Sequence, residues 1–187
     1  TLRVFDLDVG RAIQFQGKCY DAFDEIEVEV VHDIKDAFRD TSLISLATTA
    51  TTPHINDLSY CAAGSTILHI SLRDLSPEVI LACDNVVDDV DHVCRASTSV
   101  HLAEQLVGRR DFIRCTLADI LRGYASPRRD EESIAIFSPF GLGVLDLAVG
   151  ALVRDLAIQN RVGTMLGSFI GESWVNRPEA LSVPLCG

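Results

Sequence analysis

The sequence predicts an α/β fold built on a doubly wound, mostly parallel sheet. Short apolar runs of strand length alternate along the chain with segments of helical periodicity, which is the order that a parallel sheet requires. Several of these runs are continuously apolar, as expected of strands that helices cover on both faces. Polar and ionisable residues follow the runs directly, and ligands of such sheets bind beyond the carboxyl ends of the strands.

The first 47 residues contain three predicted strands and two predicted helices. Alternation of charged and apolar residues in Glu27–Val31 indicates a strand, and Leu43–Ala47 has the composition of a buried one. Asp33 is a plausible N-cap for the second helix. The predicted strands are 3–5, 27–31 and 43–47, and the predicted helices are 10–23 and 33–38.

The rest of the chain continues the alternation. A helix is predicted to open at Ser76, because serine favours the N-cap and Pro77 favours the first helical position. Gly108 is expected to end a helix. The segment 144–159 is the strongest helix and carries one apolar face, formed by Leu145, Ala148, Leu152 and Leu156. Further strands are predicted at 67–70, 85–87 and 134–137, and further helices at 93–106 and 111–121.

The composition indicates an acidic globular domain. The chain has 187 residues, of which 48% are hydrophobic and 23% charged, and its net charge is −11. This charge argues against a nucleic-acid partner, although backbone amides at a helix N-terminus can hold an anionic cofactor. No apolar run approaches the roughly 18 residues of a membrane span, and no signal peptide is recognisable. Six scattered cysteines predict free thiols in a reducing compartment, so we expect a cytoplasmic protein without a membrane partner.

Two polar clusters at predicted strand ends mark the candidate site. Ser71, Arg73 and Asp74 follow the strand at 67–70, and the segment 88–92 follows the strand at 85–87. In a parallel sheet these positions lie at the edge where ligands bind. The acidic run at 88–91 lacks the glycine and the terminal glutamate of a calcium loop, so a capping or solvated acidic turn is the preferred interpretation.

Two further strand ends carry residues suited to a nucleotide. Asp6 closes the first predicted strand, and in a dinucleotide-binding fold an acidic residue at the end of the second strand accepts hydrogen bonds from the adenosine ribose. The threonines at 48–52 would let a ring or ribose approach the backbone. From these residues alone, an aspartate that merely ends a strand and an ordinary threonine-rich turn remain open alternatives.

The chain resembles the ornithine cyclodeaminase and μ-crystallin family, and within it the dehydrogenases of 2,3-diaminopropionate biosynthesis. The similarity covers about 150 residues in family order, and the blocks from His69 to Gln105 and around Ser-Pro-Phe-Gly-Leu-Gly are specific to that subgroup. The segments that carry it are Val4–Asp8, Ala47–Ile55, His69–Leu75, Asp88–His92 and Phe137–Asp146.

The resemblance implies a Rossmann-like, NAD-dependent amino-acid dehydrogenase. The implied substrate is N-(1-amino-1-carboxyethyl)-glutamate, whose glutamate α-carbon gives a hydride to the nicotinamide. Water then splits the resulting imine into 2-oxoglutarate and 2,3-diaminopropionate. Asp6 favours NAD over NADP, because a carboxylate repels a 2′-phosphate.

The resemblance also implies roles for individual residues. Asp74 is the implied acid/base; a structural Asp74 paired with Arg73 or Arg95 is the alternative. The implied cofactor-binding residues are Asp6 at the adenosine ribose, Thr48 and Thr49 at the adenine, Ser71 and Leu72 near the nicotinamide ribose, and Ser138 and Phe140 over the nicotinamide.

Members of the family are roughly twice as long as this chain. We therefore expect residues 1–160 to form a partial NAD-binding domain without its first βα unit. Residues 161–187 are expected to pack on that domain or on an N-terminal substrate and dimerisation domain outside this sequence. The expected partners are a small amino-acid substrate and either a second copy of the chain or a complementary N-terminal half, since an open sheet edge favours pairing.

Three alternatives compete with this interpretation. The chain could be a non-catalytic binding or dimerisation module, or it could catalyse a sibling reaction such as ornithine cyclodeamination or imine reduction. The Ser-Leu-Arg-Asp block at 71–74 favours the diaminopropionate subgroup. A metal site from His69, His92, Cys94 and His101 is disfavoured, because zinc ligands converge at shorter and more regular spacings.

Overall fold

A computed structural model of the chain describes residues 1–164 and 166. The strands formed by these residues are β1 (Leu2–Val4), β2 (Val28–Val30), β3 (Leu43–Leu46), β4 (Thr66–His69), β5 (Asp84–Val87), β6 (Ile113–Thr116) and β7 (Ala135–Ser138). The helices are α1 (Val9–Ala22), α2 (Ile34–Phe38), α3 (Pro77–Ala82), α4 (Val90–Val93), α5 (Ser99–Val107), α6 (Leu117–Leu121) and α7 (Gly143–Asn160).

Five strands form one parallel sheet in the order β3-β4-β7-β5-β6. The last strand in sequence, β7, lies in the centre between β4 and β5. The side chains of Ile67, Val87 and Ile136 on the three central strands are 0% exposed, so the core lies against the middle of this sheet. This arrangement confirms the predicted Rossmann-like α/β fold with a mostly parallel sheet.

The first two strands form a separate parallel pair, in which β1 joins β2. Helix α1 connects the two strands. Two of its side chains donate to the Val28 carbonyl, Gln16 Nε2 at 2.6 Å and Tyr20 Oη at 3.1 Å. From β1, Arg3 Nη1 donates to the Arg39 carbonyl just beyond α2 at 2.5 Å. Polar contacts therefore fix both the crossover helix and the following helix to this strand pair.

The predicted helix ends are confirmed where a cap residue marked them. Asp33 caps α2 by accepting from the Lys35 N–H, and Ser76 caps α3 by accepting from the Val79 N–H. Gly108 ends α5 in the left-handed conformation, with φ 69°. These side chains satisfy backbone groups that the helices leave unpaired.

The predicted single helix at 93–106 is wrong in extent. The chain instead forms α4, which ends at Val93. Ala96 and Ser97 then adopt left-handed angles, both with φ 54°, and α5 begins at Ser99. Thr98 caps the new helix by accepting from the His101 N–H at 3.0 Å. An N-cap residue has non-helical backbone angles, so this cap divides the apolar pattern into two helices.

The predicted helix at 111–121 is also wrong over its first half. Residues 113–116 form β6, which pairs in parallel with β5, and only α6 is helical. Thr116 and Asp119 form a reciprocal capping box that fixes the start of α6. The strand was missed because its four residues are too few to distinguish a strand from a helix by periodicity.

A second compact unit begins at Gly143, and its described part is dominated by α7. The predicted helix is confirmed, yet its apolar side chains remain in solvent. Those between 46% and 73% exposed are Val144, Leu145, Leu147, Val149, Leu152, Val153, Leu156 and Ile158. The predicted boundary at residue 160 stays a prediction, and the tail expected at 161–187 lies mostly outside the described residues. Among the helices of the described chain, none is long and apolar enough to cross a membrane.

Candidate functional site

The carboxyl ends of β3, β4 and β7 form one edge of the five-stranded sheet. In the parallel register Leu46 lies beside His69. Ser138 follows Phe137, the last residue of β7 that pairs with β4, and itself pairs with Val87 of β5. Around this edge a set of polar side chains is connected by short contacts, and we call it the Asp74 network: Thr48, His69, Ser71, Asp74 and Ser138. Three sequence segments that are distant along the chain therefore meet at one point.

Asp74 is the centre of the network and is 0% exposed. Thr48 Oγ1 donates to Oδ1, Ser71 Oγ donates to Oδ2, and His69 Nε2 lies 3.3 Å from Oδ2. Burial alone would raise the pKa of this carboxyl, but the contacts from His69, Ser71 and Thr48 outweigh it and lower the pKa to about 2. Asp74 is therefore a buried, permanently charged carboxylate near neutral pH.

His69 connects Asp74 to β7. Its ring is 0% exposed, and Nδ1 lies 3.3 Å from Ser138 Oγ, while Nε2 accepts from the Asp74 backbone N–H at 3.2 Å. A ring protonated at Nε2 would instead donate to the Asp74 carboxylate. Nε2 makes one of these two bonds at a time, and the contact that lowers the pKa of Asp74 is the one in which Nε2 donates to the carboxylate.

The turn from Ser71 to Asp74 is fixed by backbone contacts. Leu72 has φ 68°, a conformation that non-glycine residues rarely adopt, and its carbonyl accepts from the Ser99 N–H at 2.7 Å. Ser71 N and Oγ both lie 3.0 Å from the Leu46 carbonyl. Strained backbone of this kind clusters at functional sites. Here it turns Ser71 and Asp74 back over the ends of β3 and β4.

The alternative in which Asp74 has a structural role predicts that Arg73 or Arg95 pairs with its carboxylate. Arg73 does not. Its Nη2 donates to the Ala96 carbonyl at 2.9 Å, beside the break between α4 and α5. In the described structure the carboxylate of Asp74 is bonded by the network residues rather than by Arg73 or Arg95.

The other predicted nucleotide-binding residues surround the same edge, with one exception. Thr48 and Thr49 lie on the exposed turn after β3, where Thr48 Oγ1 also accepts from the Ala50 N–H at 3.0 Å. Phe140 is half-buried and packs against the core just after β7. Asp6 follows β1 on the two-stranded sheet, where it is exposed and accepts from the Asp8 N–H at 2.8 Å.

The acidic run after β5 is a capping turn, as predicted. Asp89 caps α4 by accepting from the His92 N–H at 2.8 Å, and Asp91 lies 2.7 Å from Arg110 Nη1. Asp88 Oδ2 accepts from the Gly141 N–H at 2.7 Å and so joins this turn to the segment after β7.

Sequence reasoning assigned no chemical role to His54, although the structure places it against Asp74. The His54 N–H donates to the Asp74 carbonyl at 2.9 Å, and its Nε2 lies 4.0 Å from Asp74 Oδ1. For His69 the sequence does offer a signal, because this histidine is the one ionisable residue inside a predicted buried strand. No local pattern marks His54, because its position depends on the pairing of Ile55 with Leu75.

Three cysteines and two histidines outside the Asp74 network are the other candidate reactive groups. Burial raises the pKa of the Cys61, Cys83 and Cys94 thiols to about 11, so these groups are poor nucleophiles at neutral pH. His92 Nδ1 lies 2.8 Å from Asp89 Oδ1, and His101 Nε2 lies 3.1 Å from Gln105 Nε2. Across the described residues, no three His, Cys, Asp or Glu side chains are grouped as metal ligands.

The model of one protein family, described as the ornithine cyclodeaminase/mu-crystallin family, matches residues 1–161 of the chain. The N-((2S)-2-amino-2-carboxyethyl)-L-glutamate dehydrogenase of Staphylococcus aureus (strain NCTC 8325 / PS 47) is 23% identical over 147 residues. That alignment covers 78% of this chain and 44% of the relative. The resemblance predicted from the sequence motifs is confirmed, and the chain spans less than half the length of this relative.

Two solved structures share the fold. The Δ(1)-pyrroline-2-carboxylate reductase of Thermococcus litoralis, in complex with NADH and L-proline, matches with a TM-score of 0.79 and 23% identity over 88% of this chain and 52% of that one. An archaeal alanine dehydrogenase dimer with bound NAD matches with a TM-score of 0.76 and 22% identity over 90% of this chain and 52% of that one. At these identities the likeness establishes the fold.

Proposed function

The chain belongs to the ornithine cyclodeaminase/mu-crystallin family, and on this premise we propose that it is the NAD-binding part of an amino-acid dehydrogenase. We propose that the whole protein cleaves N-(2-amino-2-carboxyethyl)-glutamate oxidatively to 2,3-diaminopropionate and 2-oxoglutarate. The amino and carboxyl groups must be on carbon 2 of the ethyl group, as in the name of the Staphylococcus aureus relative, and not on carbon 1, because only then does hydrolysis of the imine release 2,3-diaminopropionate. The observation that carries the proposal is the Asp74 network, since three segments of the family resemblance converge there at the carboxyl edge of a parallel sheet.

The residues around this edge fit a nicotinamide cofactor. Thr48 and Thr49 lie on an exposed turn. The Thr48 hydroxyl already donates to Asp74, so Thr49 is the one that offers a hydroxyl group to the cofactor. Ser71 and Leu72 form the tight turn at the next strand end. Ser138 ends the central strand and contacts His69, and Phe140 follows two residues later, half-buried against the hydrophobic core. A mostly apolar surface with a few fixed polar groups is the usual lining of a cofactor site.

Asp6 fits the adenosine end of the cofactor. It is exposed at the carboxyl end of β1, and in the described structure one oxygen accepts only the short local bond from the Asp8 N–H. The remaining acceptor capacity of its carboxylate suits the two ribose hydroxyls of NAD, and its negative charge disfavours the 2′-phosphate of NADP.

The chemistry of the proposed reaction explains the buried charge. When bound, NAD supplies the oxidant that accepts the hydride from the glutamate α-carbon. Removal of this hydride leaves positive charge at the substrate C–N bond, which a fixed carboxylate in a water-poor site stabilises strongly. Asp74 supplies the negative charge and remains ionised, because its pKa is about 2. Thr48, Ser71 and His69 hold its orientation.

We also propose that α7 is covered in the assembled protein, either by a second copy of the chain or by a complementary polypeptide. Its eight large apolar side chains are 46% to 73% exposed in the described chain, and they extend beyond the single apolar face predicted from the sequence. A helix with so much apolar surface is normally buried. Light scattering of the purified protein decides between the two: a dimer supports a second copy, and a stable monomer at micromolar concentration would contradict a second copy and leave the complementary polypeptide.

Calorimetry and turnover together test the proposed function. NADH should bind the protein at least tenfold more tightly than NADPH, and NAD⁺ should be reduced when N-(2-amino-2-carboxyethyl)-glutamate is added. Formation of 2-oxoglutarate identifies the cleavage. Turnover of a cyclic imine such as Δ(1)-pyrroline-2-carboxylate, with the open-chain substrate inert, would make the protein an imine reductase instead. A protein that binds neither nucleotide would contradict the dehydrogenase proposal altogether.

A further inference from the structure

The backbone of His54 is fixed to the backbone of Asp74. The N–H groups of His54 and Ile55 both donate to the Asp74 carbonyl, at 2.9 and 2.8 Å, and Ile55 forms a parallel bridge with Leu75. Ser76 then donates back to the Ile55 carbonyl at 2.9 Å. Although His54 lies in a loop, four backbone positions hold it in register with the carboxylate that organises the site.

The imidazole of His54 lies between this carboxylate and solvent. Nε2 is 4.0 Å from Asp74 Oδ1, and the His54 side chain is 44% exposed, whereas that of Asp74 is 0% exposed. His69, on the other carboxylate oxygen, is 0% exposed as well. Of the two histidines that contact Asp74, His54 is therefore the one that an incoming small molecule can reach.

The proposed reaction needs such a group. Oxidation of a secondary amine breaks the α C–H bond and the N–H bond and forms C=N, so that a proton leaves the nitrogen as the hydride leaves the carbon. Asp74 is poorly suited to take that proton, because a carboxylate with a pKa of about 2 is a weak base and has no exposed surface. The imidazole of His54 is better placed because it reaches solvent, and histidine is the side chain that most often acts as a general base.

We propose that His54 accepts the proton that leaves the substrate nitrogen, and that Asp74 is the positioning residue that stabilises the resulting imidazolium. This proposal rests on the proposed function and adds a catalytic residue to it. The lone pair of the His54 nitrogen forms the new N–H bond, the electrons of the broken substrate N–H bond form C=N, and the hydride passes to the oxidised nicotinamide. In the described structure His54 Nε2 lies 4.0 Å from Asp74 Oδ1, and His69 Nε2 lies 3.3 Å from the other oxygen of the same carboxylate.

His92 offers a matched control. Its side chain is 46% exposed, and its Nδ1 lies 2.8 Å from Asp89 Oδ1, so it shares with His54 both exposure and a carboxylate neighbour. It lies on α4, outside the Asp74 network. Comparison of the two histidines separates a role at the site from the general effect of removing a surface imidazole.

Kinetics and rescue give the first test. His54→Gln should lower kcat at least about a hundredfold, the usual contribution of a general base, while NADH affinity stays within about twofold. His92→Gln should leave both unchanged. Free imidazole should raise the kcat of His54→Ala at least about tenfold. A His54→Gln protein with wild-type kcat, or a His54→Ala protein that imidazole does not rescue, would overturn the proposal.

Chemical modification gives a readout that does not depend on turnover. Diethyl pyrocarbonate should modify His54 and His92 in the free protein, and NADH with 2-oxoglutarate should protect His54 but not His92. Protection of neither histidine in a protein that binds NADH would overturn the role of His54 alone. A protein that does not bind NADH at all would overturn both this role and the proposed function, so the two failures are distinguishable.

Discussion

His69 contacts Asp74 twice through a single nitrogen: Nε2 lies 3.2 Å from the Asp74 backbone N and 3.3 Å from Oδ2. Both residues are 0% exposed, and the other ring nitrogen lies 3.3 Å from Ser138 Oγ. The contact joins the end of β4 to the turn that follows it and to the central strand β7. It fixes the only carboxylate of the Asp74 network in one orientation.

The charge of Asp74 should stabilise the fold in a pH-dependent way. Its pKa falls from 3.8 to about 2 on folding, so its contribution is present above the unfolded value and is lost as pH falls through the folded value. The shift corresponds to about 2 kcal/mol. Asp74→Asn should therefore lower the free energy of unfolding near neutral pH by about that amount, and the difference should shrink between pH 3.8 and about 2.

Urea denaturation at a series of pH values measures this difference. Asp57→Asn is the control, because Asp57 also accepts hydrogen bonds, from Ser59 N and Oγ, but is fully exposed. It should have little effect at any pH. A constant difference between the wild type and Asp74→Asn across the acid range would show that the carboxylate is not held in its charged form.

Removal of the His69 imidazole should destabilise the chain although the replacement is apolar. His69→Phe leaves Ser138 Oγ and the Asp74 N–H without their buried partner, which costs about 1–3 kcal/mol for each group that stays unpaired. His92→Gln, at an exposed site, should change stability by less than about 0.5 kcal/mol. Thermal unfolding of the two variants beside the wild type decides the point. Equal midpoints would remove His69 from the structural core of the site.

Two left-handed glycines should respond differently to the same substitution. Gly64 has φ 68° and Gly108 has φ 69°, but a Cβ on Gly64 would lie 2.2 Å from the Glu131 carbonyl oxygen, whereas around Gly108 there is open space. Gly108→Ala should cost about 1–2 kcal/mol, from backbone strain alone. Gly64→Ala should cost clearly more, because the loop before β7 must move. If urea denaturation showed similar costs for the two substitutions, the close approach of Gly64 to the Glu131 carbonyl would be contradicted.

Asp6→Ala should weaken NADH binding at least tenfold, because the adenosine ribose would lose charge-assisted hydrogen bonds worth about 1.5–3 kcal/mol each. Asp8→Asn is the matched control two residues away. Asp8 caps α1, and asparagine retains a cap while removing the charge. Calorimetric titration should show near wild-type affinity for Asp8→Asn. Unchanged affinity in Asp6→Ala would withdraw the ribose assignment.

Sequence patterns were sufficient for the fold class and for the strand ends that meet at the site. Thr48, Ser71, Asp74 and Ser138 follow or end apolar runs, and parallel pairing brings such positions to one edge. The break before Thr98 was not predictable from apolar periodicity, because the two left-handed residues that precede it belong to no helical or strand pattern. Strand β6 was too short to be recognised.

The histidine contacts were beyond sequence reasoning for a different reason. His54 reaches Asp74 only because the loop after β3 pairs with the segment after β4, and this pairing joins residues twenty positions apart without a periodic signal. Likewise, the left-handed backbone at Leu72 directs Asp74 back onto His69. Such contacts depend on tertiary geometry, which the apolar pattern does not specify.

Hydrogen–deuterium exchange of the purified protein with and without NADH tests most directly the claim that the carboxyl edge of β3, β4 and β7 binds the cofactor. Binding of NADH at this edge should slow exchange in residues 47–55, 70–75 and 138–142, with no change in α6. The same measurement on Asp6→Ala should show weaker protection at equal NADH concentration. Protection confined to other segments, or no protection at saturating NADH, would contradict the assignment of this edge as the nicotinamide site.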